Sequence, residues 1–540
     1  VAVEDAARYR DALGAPLPAG IPEALRMPVA DPAGDLISRF ARTHGPFHPV
    51  DAIRRFGMPD AAVRGALAAL VARGRVIEGE FRPGGTEREF VDVNVLRQLR
   101  RRSLARLRRE VEAVDPAALG RFAVTWHALG GRRSGPEALL DVIEQLQGAA
   151  LPASILEHEI LGARLHDYSP EWLDTLAAAG EIRWVGVEPF GQRDGRVALY
   201  LSDQMAALLP DPSDEPPTER EQKILDWLGR HGASFFDGVH EAAGGGFPGE
   251  TVDALWQLVW RGLVSNDAFF ALRAYTTRHE KRRRVQPSSA FRSRRLVPRT
   301  AEGRWTLARA ATAMAPAVRM TSVVRQLLSR HGVLTREALA SEGLKGGFTG
   351  IYPALKAMDD AGRVRRGYFV AGLGATQFAL PGALDLLRSL REAGPDARAV
   401  TMAAADPANP YGTSLPWPLP DLTRVVGATV IVVDGEMSAY VARGNREITV
   451  NLPEVEPFRT RRAQATAAQL ASFARGDRRG HRAMLITTIS GVRAVDHPFV
   501  SWLEEAGFTR GALGLHMPRR DGSATDPPPD DDSGVGDEGA

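Results

Sequence analysis

Two stretches of this chain concentrate the side chains best suited to holding phosphate. Residues 94–112, "NVLRQLRRRSLARLRREVE", place seven arginines between Arg97 and Arg109, and residues 276–300 carry nine bases against one acid, Glu280. A guanidinium is planar, permanently charged and forks onto two phosphate oxygens at once. Arg101, Arg102 and Arg106 in the first stretch, with Arg282, Arg283, Arg284, Arg294 and Arg295 in the second, are therefore the candidate nucleic-acid contacts. Phosphate neutralised by such side chains makes binding salt-dependent, with a slope of roughly −0.9 in log K against log salt per contact on duplex DNA.

Other chemistries are excluded or lack a pattern. No G-x-x-x-x-G-K-[ST] loop exists: Lys345 sits in "EGLKGGFTG", with Leu344 where the second glycine would stand. No D-E-x-H box follows a strand either, so nucleotide hydrolysis is not expected of this chain alone. With no cysteine at all there are no disulfides, thiolate zinc sites or thiol nucleophiles, as suits a reducing cytosol. The twelve histidines are scattered; "HEIL" at His158 stops short of HExxH, and His44 and His48 straddle a Gly-Pro turn. No metal or cofactor is expected.

The elements that must position the arginines announce themselves by repetition. Leu67-Leu70-Gly74-Val76, Leu173-Leu176-Gly180-Ile182, Leu255-Leu258-Gly262-Val264 and Leu355-Met358-Gly362-Val364 share one spacing. Each is the sequence form of an amphipathic helix ended by a left-handed glycine and followed by a strand. A His-Gly pair stands upstream of three copies (His44-Gly45, His231-Gly232, His331-Gly332) and Gly148 upstream of the other. The room between accommodates two short helices, which gives the helix-helix-helix-wing plan of a winged helix.

The predicted organisation is a lead-in (1–30), a winged helix (31–95), an Arg-rich connecting helix (96–114), a winged-helix-like unit with an insertion (115–210), a third winged helix (217–275), a basic connector (276–315), a fourth winged helix (316–392), a β-barrel-like domain (396–520) and an acidic tail (521–540). The fold class is thus α+β, with tandem winged helices, a small β-barrel and a disordered tail. The formal net charge of +2 conceals seven unbalanced acids in that tail; without them residues 1–520 carry +9. The tail has too little apolar surface to fold. No run approaches the 18–20 apolar residues of a membrane span, no signal peptide is recognisable, and the absence of an initiator Met suggests a piece of a longer chain. The helix "PGETVDALWQLVWRG" is apolar and acidic, with Trp256 and Trp260 on one stripe, and reads as a packing or protein-contact face rather than a DNA reader.

Four phrases stand out: "GRW" at Gly303–Trp305, "RGYFVAGLGATQFALPGALDLLR" at Arg366–Arg388, "AAADPANPYGTSLPWP" at Ala403–Pro418 and "VVDGEMSAYVARG" at Val432–Gly444. They resemble the C-terminal region of the large helicase-related (Lhr) family of bacterial DNA helicases. The segment "LLDVIEQLQGAALPASILEHEILGARLHDYSPEWLDTLAAAGEIRWVG" is similar to the corresponding Lhr segment along its length. The resemblance implies the non-motor part of a 3′-to-5′ DNA translocase, with ATP and magnesium belonging only to motor domains outside this chain.

The tandem winged-helix and barrel plan is also similar to that of AlkZ-like DNA glycosylases, whose signature is Gln, any residue, then Gln or Asp. Here Gln145-Leu146-Gln147 fits that form, and such a pair would hold a water against the anomeric carbon of a flipped nucleotide while the base leaves. Asp406 and Asp434, in the matched phrases, are alternative catalytic carboxylates, although Asp406-Pro407 and Asp434-Gly435 also read as turns. The leading expectation is a DNA-binding and oligomerisation module of a repair helicase. The alternatives are a glycosylase excising uracil or a damaged or crosslinked base, and an assembly scaffold only. The expected partners are single-stranded or branched DNA, copies of the same chain and an N-terminal helicase motor, without a membrane; the expected location is cytoplasmic, with the nucleoid.

Overall fold

The computed structural model describes residues 3–17, 19–82, 88–211, 215–277, 297–309, 314–394, 396–476 and 484–517, except for the side chains of 104–111. Arg282, Arg283, Arg284, Arg294, Arg295, the Arg106 side chain and the acidic tail lie outside what is described. The chain divides into two compact units, Val1–Glu112 and Ala113–Ala540.

The first unit is a winged helix. Its helices Pro32–Thr43, Pro49–Phe56 and Asp60–Ala72 are followed by the antiparallel wing Val76–Gly79 and Glu89–Asp92. Asp31 caps the first helix by accepting from the Gly34 amide at 3.0 Å, satisfying one of the free N–H groups of the first turn. Leu36, Ile37, Val63, Leu67 and Val76 fill the core. The lead-in is itself helical over Ala6–Leu13, and Arg8 ties it to Asp35 at 3.0 Å.

The repeated glycine does what its spacing predicts. Gly74, Gly180, Gly262 and Gly362 have φ of 63, 76, 68 and 72°. Each is followed by a residue whose N–H returns to the leucine or methionine four positions before that glycine: Arg75 to Leu70, Glu181 to Leu176, Leu263 to Leu258 and Arg363 to Met358, all at 2.9–3.0 Å. These are Schellman caps, which close the last carbonyls of a helix and turn the chain into the strand.

The second unit holds the other three winged helices and a β region. One comprises helices Pro116–Trp126, Pro136–Leu146 and Pro170–Ala178, with strand Leu151–Pro152 beside the hairpin Ile182–Phe190 and Asp194–Leu201. The next comprises Glu219–His231, Phe236–Ala242 and Pro248–Trp260. Its sheet is completed by Arg304–Leu307, which pairs with Ser234–Phe235 and with Val264–Asn266. The basic stretch therefore falls inside this winged helix, ahead of its last strand, rather than between domains. The fourth comprises Pro316–His331, Arg336–Ser341 and Gly347–Asp360 with strands Val333–Leu334, Arg365–Gly367 and Gln377–Ala379, followed by helix Pro381–Ser389.

The predicted β-barrel is not found among the described residues. Strands Ala399–Ala403, Thr429–Val433, Glu436–Val441, Glu447–Val450, Thr488–Ile489 and Val492–Arg493 form an open six-stranded sheet in chain order, and its outer strands do not pair with each other. Helix Phe458–Arg475 instead packs on one face, burying Ile431, Val433, Ala439 and Val441 with Ala463, Ala467 and Leu470. A covering helix buries a sheet face as effectively as closure does, so alternating strands alone do not distinguish the two.

The Trp256/Trp260 stripe is a core, not an exposed face. Both indoles are 3% exposed; Trp256 stacks on Tyr275 with ring centres 4.2 Å apart and donates to the Thr300 carbonyl at 3.0 Å. Gly186 and Gly195, on the hairpin of the preceding winged helix, let this helix come close: a Cβ on either would stand 2.3 Å from Val259 or from the Trp260 ring. The helix that would enter a major groove is docked on a neighbouring sheet. Its apolar stripe, including Leu255, Trp256, Val259 and Trp260, is thereby buried within the chain.

Candidate functional site

The glutamine pair lies at the end of helix Pro136–Leu146, and its two side chains serve different partners. Gln147 is fully buried, donating to Gln204 Oε1 at 3.0 Å and accepting from the Leu201 amide at 3.0 Å. Gln145 donates to the Trp126 carbonyl at 3.0 Å. Gln326 of the fourth winged helix donates to the carbonyls of Glu144 and Gln145 at 2.9 and 3.0 Å, and Arg330 donates to the Gln147 carbonyl. The segment thus joins the second and fourth winged helices. Beyond it, Glu342 pairs with Arg330 and His331. Burial alone would raise the Glu342 carboxyl, but those two neighbours outweigh it and hold the value down at about 2.

Asp406 is completely buried and forks onto Arg164, with oxygen-to-nitrogen distances of 2.7 and 2.8 Å. One of its oxygens also accepts from the Ala408 amide at 2.7 Å. Arg164 reaches His127 Nδ1 at 3.4 Å, and since arginine only donates, that nitrogen accepts. Burial first, then the Arg164 cation, holds His127 well below its ordinary value, so the imidazole is neutral. This closed cluster fastens the second winged helix to the β region.

Asp434 is placed differently. With Gly435 it makes the two-residue turn between Thr429–Val433 and Glu436–Val441, with φ of 51 and 86°, as the Asp-Gly pair predicts. Its Oδ1 accepts from the Arg398 amide at 2.9 Å, while Oδ2 faces Arg461 at 3.7 Å, and the side chain keeps 19% of its surface. The turn forms one wall of a cleft of about 230 Å³. Val124, Leu390, Val400 and Val432 supply apolar lining; Thr125, Arg398, Asp396 and Asp434 supply polar groups.

Arg121 assembles these walls. From helix Pro116–Trp126 it donates to the carbonyls of Leu390, Arg391 and Asp434 at 2.8, 2.7 and 2.7 Å, joining the end of helix Pro381–Ser389 to the turn. Tyr411 braces the turn from the other side, donating to the Gly435 carbonyl and accepting from the Met437 amide, both at 3.0 Å. Sequence reasoning missed Arg121 and Arg398 because their side chains bond residues hundreds of positions away (Leu390, Arg391 and Asp434 for Arg121, Thr125 and Leu129 for Arg398), and no local spacing carries that information.

Among the predicted phosphate contacts, Arg101 and Arg102 are exposed on helix Val93–Val111. Among the described residues, no group of His, Asp or Glu is placed to hold a metal ion, and no helix is long and apolar enough to cross a membrane.

Residues 114–202 and 313–399 match family models described as large helicase-related protein, winged-helix domain. A protein of Mycolicibacterium smegmatis named "Lhr helicase/ probable uracil glycosylase" is 39% identical over 478 residues, 83% of this chain and 31% of that protein. The Escherichia coli K12 "Lhr helicase/uracil glycosylase" is 32% identical over 557 aligned positions, 95% of this chain and 35% of that protein. The chain thus spans about a third of the length of these curated relatives. The solved Streptomyces sahachiroi DNA glycosylase AlkZ aligns with 67% of this chain and 96% of its own at 14% identity and a TM-score of 0.43, too low to assign a common fold.

Proposed function

We propose that this chain, which carries Lhr winged-helix domains at 114–202 and 313–399, is the base-excising, DNA-binding part of an Lhr-type helicase, and that it removes uracil from single-stranded DNA without ATP. The observation that carries the reading is the reach of the likeness: 95% of the chain aligns with a protein whose name couples a helicase to a uracil glycosylase. Of those two activities, the first needs phosphate-cradling motifs that this sequence lacks. That leaves base excision as the activity to seek here.

The Asp434 cleft is the site we assign to it. A volume of about 230 Å³ with apolar walls and a few polar groups suits one flipped pyrimidine rather than a length of backbone. The C1′–N1 bond breaks, its electron pair leaves with the uracil, and the sugar becomes an oxocarbenium cation. The Asp434 carboxylate stabilises that cation and takes the proton of the water that adds to C1′; the uracil anion is reprotonated from solvent. Arg398, on the same cleft, is the cation beside the leaving anion. Gln145 and Gln147 are given the positioning of two winged helices, since their amides are engaged there.

The oligomerisation reading is weaker on this structure, because the Trp256/Trp260 face proposed for self-association is buried within the chain. The motor partner and any preference for branched DNA are properties of the longer protein. The test is release of uracil from a single-stranded oligonucleotide by the purified chain, read as alkali-labile strand breaks.

A further inference from the structure

We propose that the first winged helix grips single-stranded DNA in the groove formed by the end of its first helix, its second helix and its wing, with Arg54 and Arg55 as phosphate ligands. Its third helix, the usual DNA reader of this fold, takes no part. The proposal rests on the reading that this chain acts on DNA, and concerns residues that reading does not use.

The groove has a volume of about 510 Å³ and is lined by His44, Phe47, Asp51, Arg54, Arg55 and Arg82, among others. Arg54 and Arg55 occupy the last turn of helix Pro49–Phe56, are exposed, and have no carboxylate within 4 Å among the described residues. The third helix contrasts sharply. Arg64 is forked onto Asp60 at 2.8–2.9 Å, and Arg73, just past the helix, faces Asp31 at 3.5 Å. Its remaining exposed positions include Ala61, Ala62, Gly65 and Ala68, which offer a base edge no donor or acceptor side chain.

The groove also has a platform for a base. His44 is exposed and stacks on Phe40 with ring centres 3.8 Å apart and planes 19° from parallel, and its Nδ1 donates to the Phe40 carbonyl at 2.8 Å. The outer face of a ring fixed in this way can receive an unpaired base, while duplex DNA keeps its base faces stacked inside. Arg82 approaches from the wing and is anchored by the buried Glu89 carboxylate, which also accepts from the Phe81 and Arg82 amides at 3.0 Å. Burial opposes the ionised form of Glu89, but Arg82 and those two amides hold its pKa below the usual value, so the anchor stays charged. Free guanidiniums beside an exposed aromatic face are the combination that tracks a single strand without reading its sequence.

The test is fluorescence anisotropy of a labelled oligothymidylate with the whole chain, repeated from low to moderate salt. Arg54→Gln/Arg55→Gln should weaken binding at least tenfold at about 0.1 M salt and reduce the salt slope by about 1.4, roughly 0.7 per contact on a single strand. Arg54→Lys/Arg55→Lys should keep most of the slope. Arg64→Gln/Arg73→Gln should bind as the parent does, and His44→Ala should lose affinity with the slope unchanged. Parental binding by Arg54→Gln/Arg55→Gln, with its thermal melt intact, would overturn the proposal. So would displacement of the strand by polyglutamate at equal charge, which would make the groove an acidic-peptide site. DNA binding with this pattern but without uracil release would keep the groove and sink the excision reading; no DNA binding by the parent would sink both.

Discussion

Gly120 and Gly435 meet with no room for a side chain on either. A Cβ on Gly120 would stand 1.9 Å from the Gly435 carbonyl oxygen, and one on Gly435 would stand 2.0 Å from the Ala117 carbonyl oxygen. Helix Pro116–Trp126 is thereby pressed against the turn that carries Asp434, and Arg121 completes the contact through the Asp434 carbonyl at 2.7 Å. Both neighbours are backbone, so neither can rotate aside. Gly120→Ala is expected to destabilise the second unit by about 1–3 kcal/mol, the usual result of overpacking. Its uracil release should fall further than its folded fraction, because the cleft wall shifts. A thermal melt and an excision rate on the same preparation check both parts.

Removing one partner of the buried Arg164–Asp406 pair leaves a charge without compensation. Arg164→Met should destabilise by on the order of 3–5 kcal/mol, whereas Arg164→Met/Asp406→Leu should recover a large part of that loss. Denaturant melts of the two variants give the comparison, and a double variant no better than the single one would argue against the pair as a closed structural clamp.

Glu342 sets a pH dependence. Its folded value, about 2, lies below the ordinary carboxyl value of 4.5, so its ionised form stabilises the fold above that ordinary value. The contribution, on the order of 3 kcal/mol when complete, declines as pH falls from about 5 towards 2. The stability difference between the parent and Glu342→Gln should therefore be largest near neutrality and narrow between pH 5 and 3. A difference that stays constant over that window would mean the Arg330 and His331 contacts do not perturb Glu342.

Trp260→Ala should destabilise by about 3–5 kcal/mol, as expected for deleting a buried indole. The oligomeric state of the folded fraction should not change. Light scattering beside a melt separates this from the expectation that the tryptophan stripe joins sister chains.

What the sequence discloses and what it hides follow from the distance over which each feature is determined. The Leu-Leu-Gly-Val repeat and Asp434-Gly435 are local: a left-handed backbone position selects glycine or aspartate, and the structure has positive φ at each. The tryptophan stripe shows that Trp256 and Trp260 are packed, but not against what: Gly195 of another winged helix faces the Trp260 ring, and Trp256 stacks on Tyr275. Strand alternation predicted the β region correctly but its closure into a barrel wrongly, since alternation does not say what covers the sheet, and helix Phe458–Arg475 covers it instead. The cleft was illegible for the same reason. Arg121 and Asp434 are 313 positions apart, and only the folded chain brings them together.

The most direct test of the proposed activity is uracil release from single-stranded DNA, without ATP, by the parent, Asp434→Asn and Gln145→Ala/Gln147→Ala. Asparagine tolerates the left-handed turn and keeps an oxygen for the Arg398 amide, so Asp434→Asn should fold and bind DNA as the parent does while losing excision by a factor of about a hundred or more. The glutamine variant should lose stability yet retain its rate per folded molecule. Full excision by Asp434→Asn, or loss confined to the glutamine variant at unchanged stability, would place the chemistry outside the Asp434 cleft; no release by the parent would contradict base excision altogether.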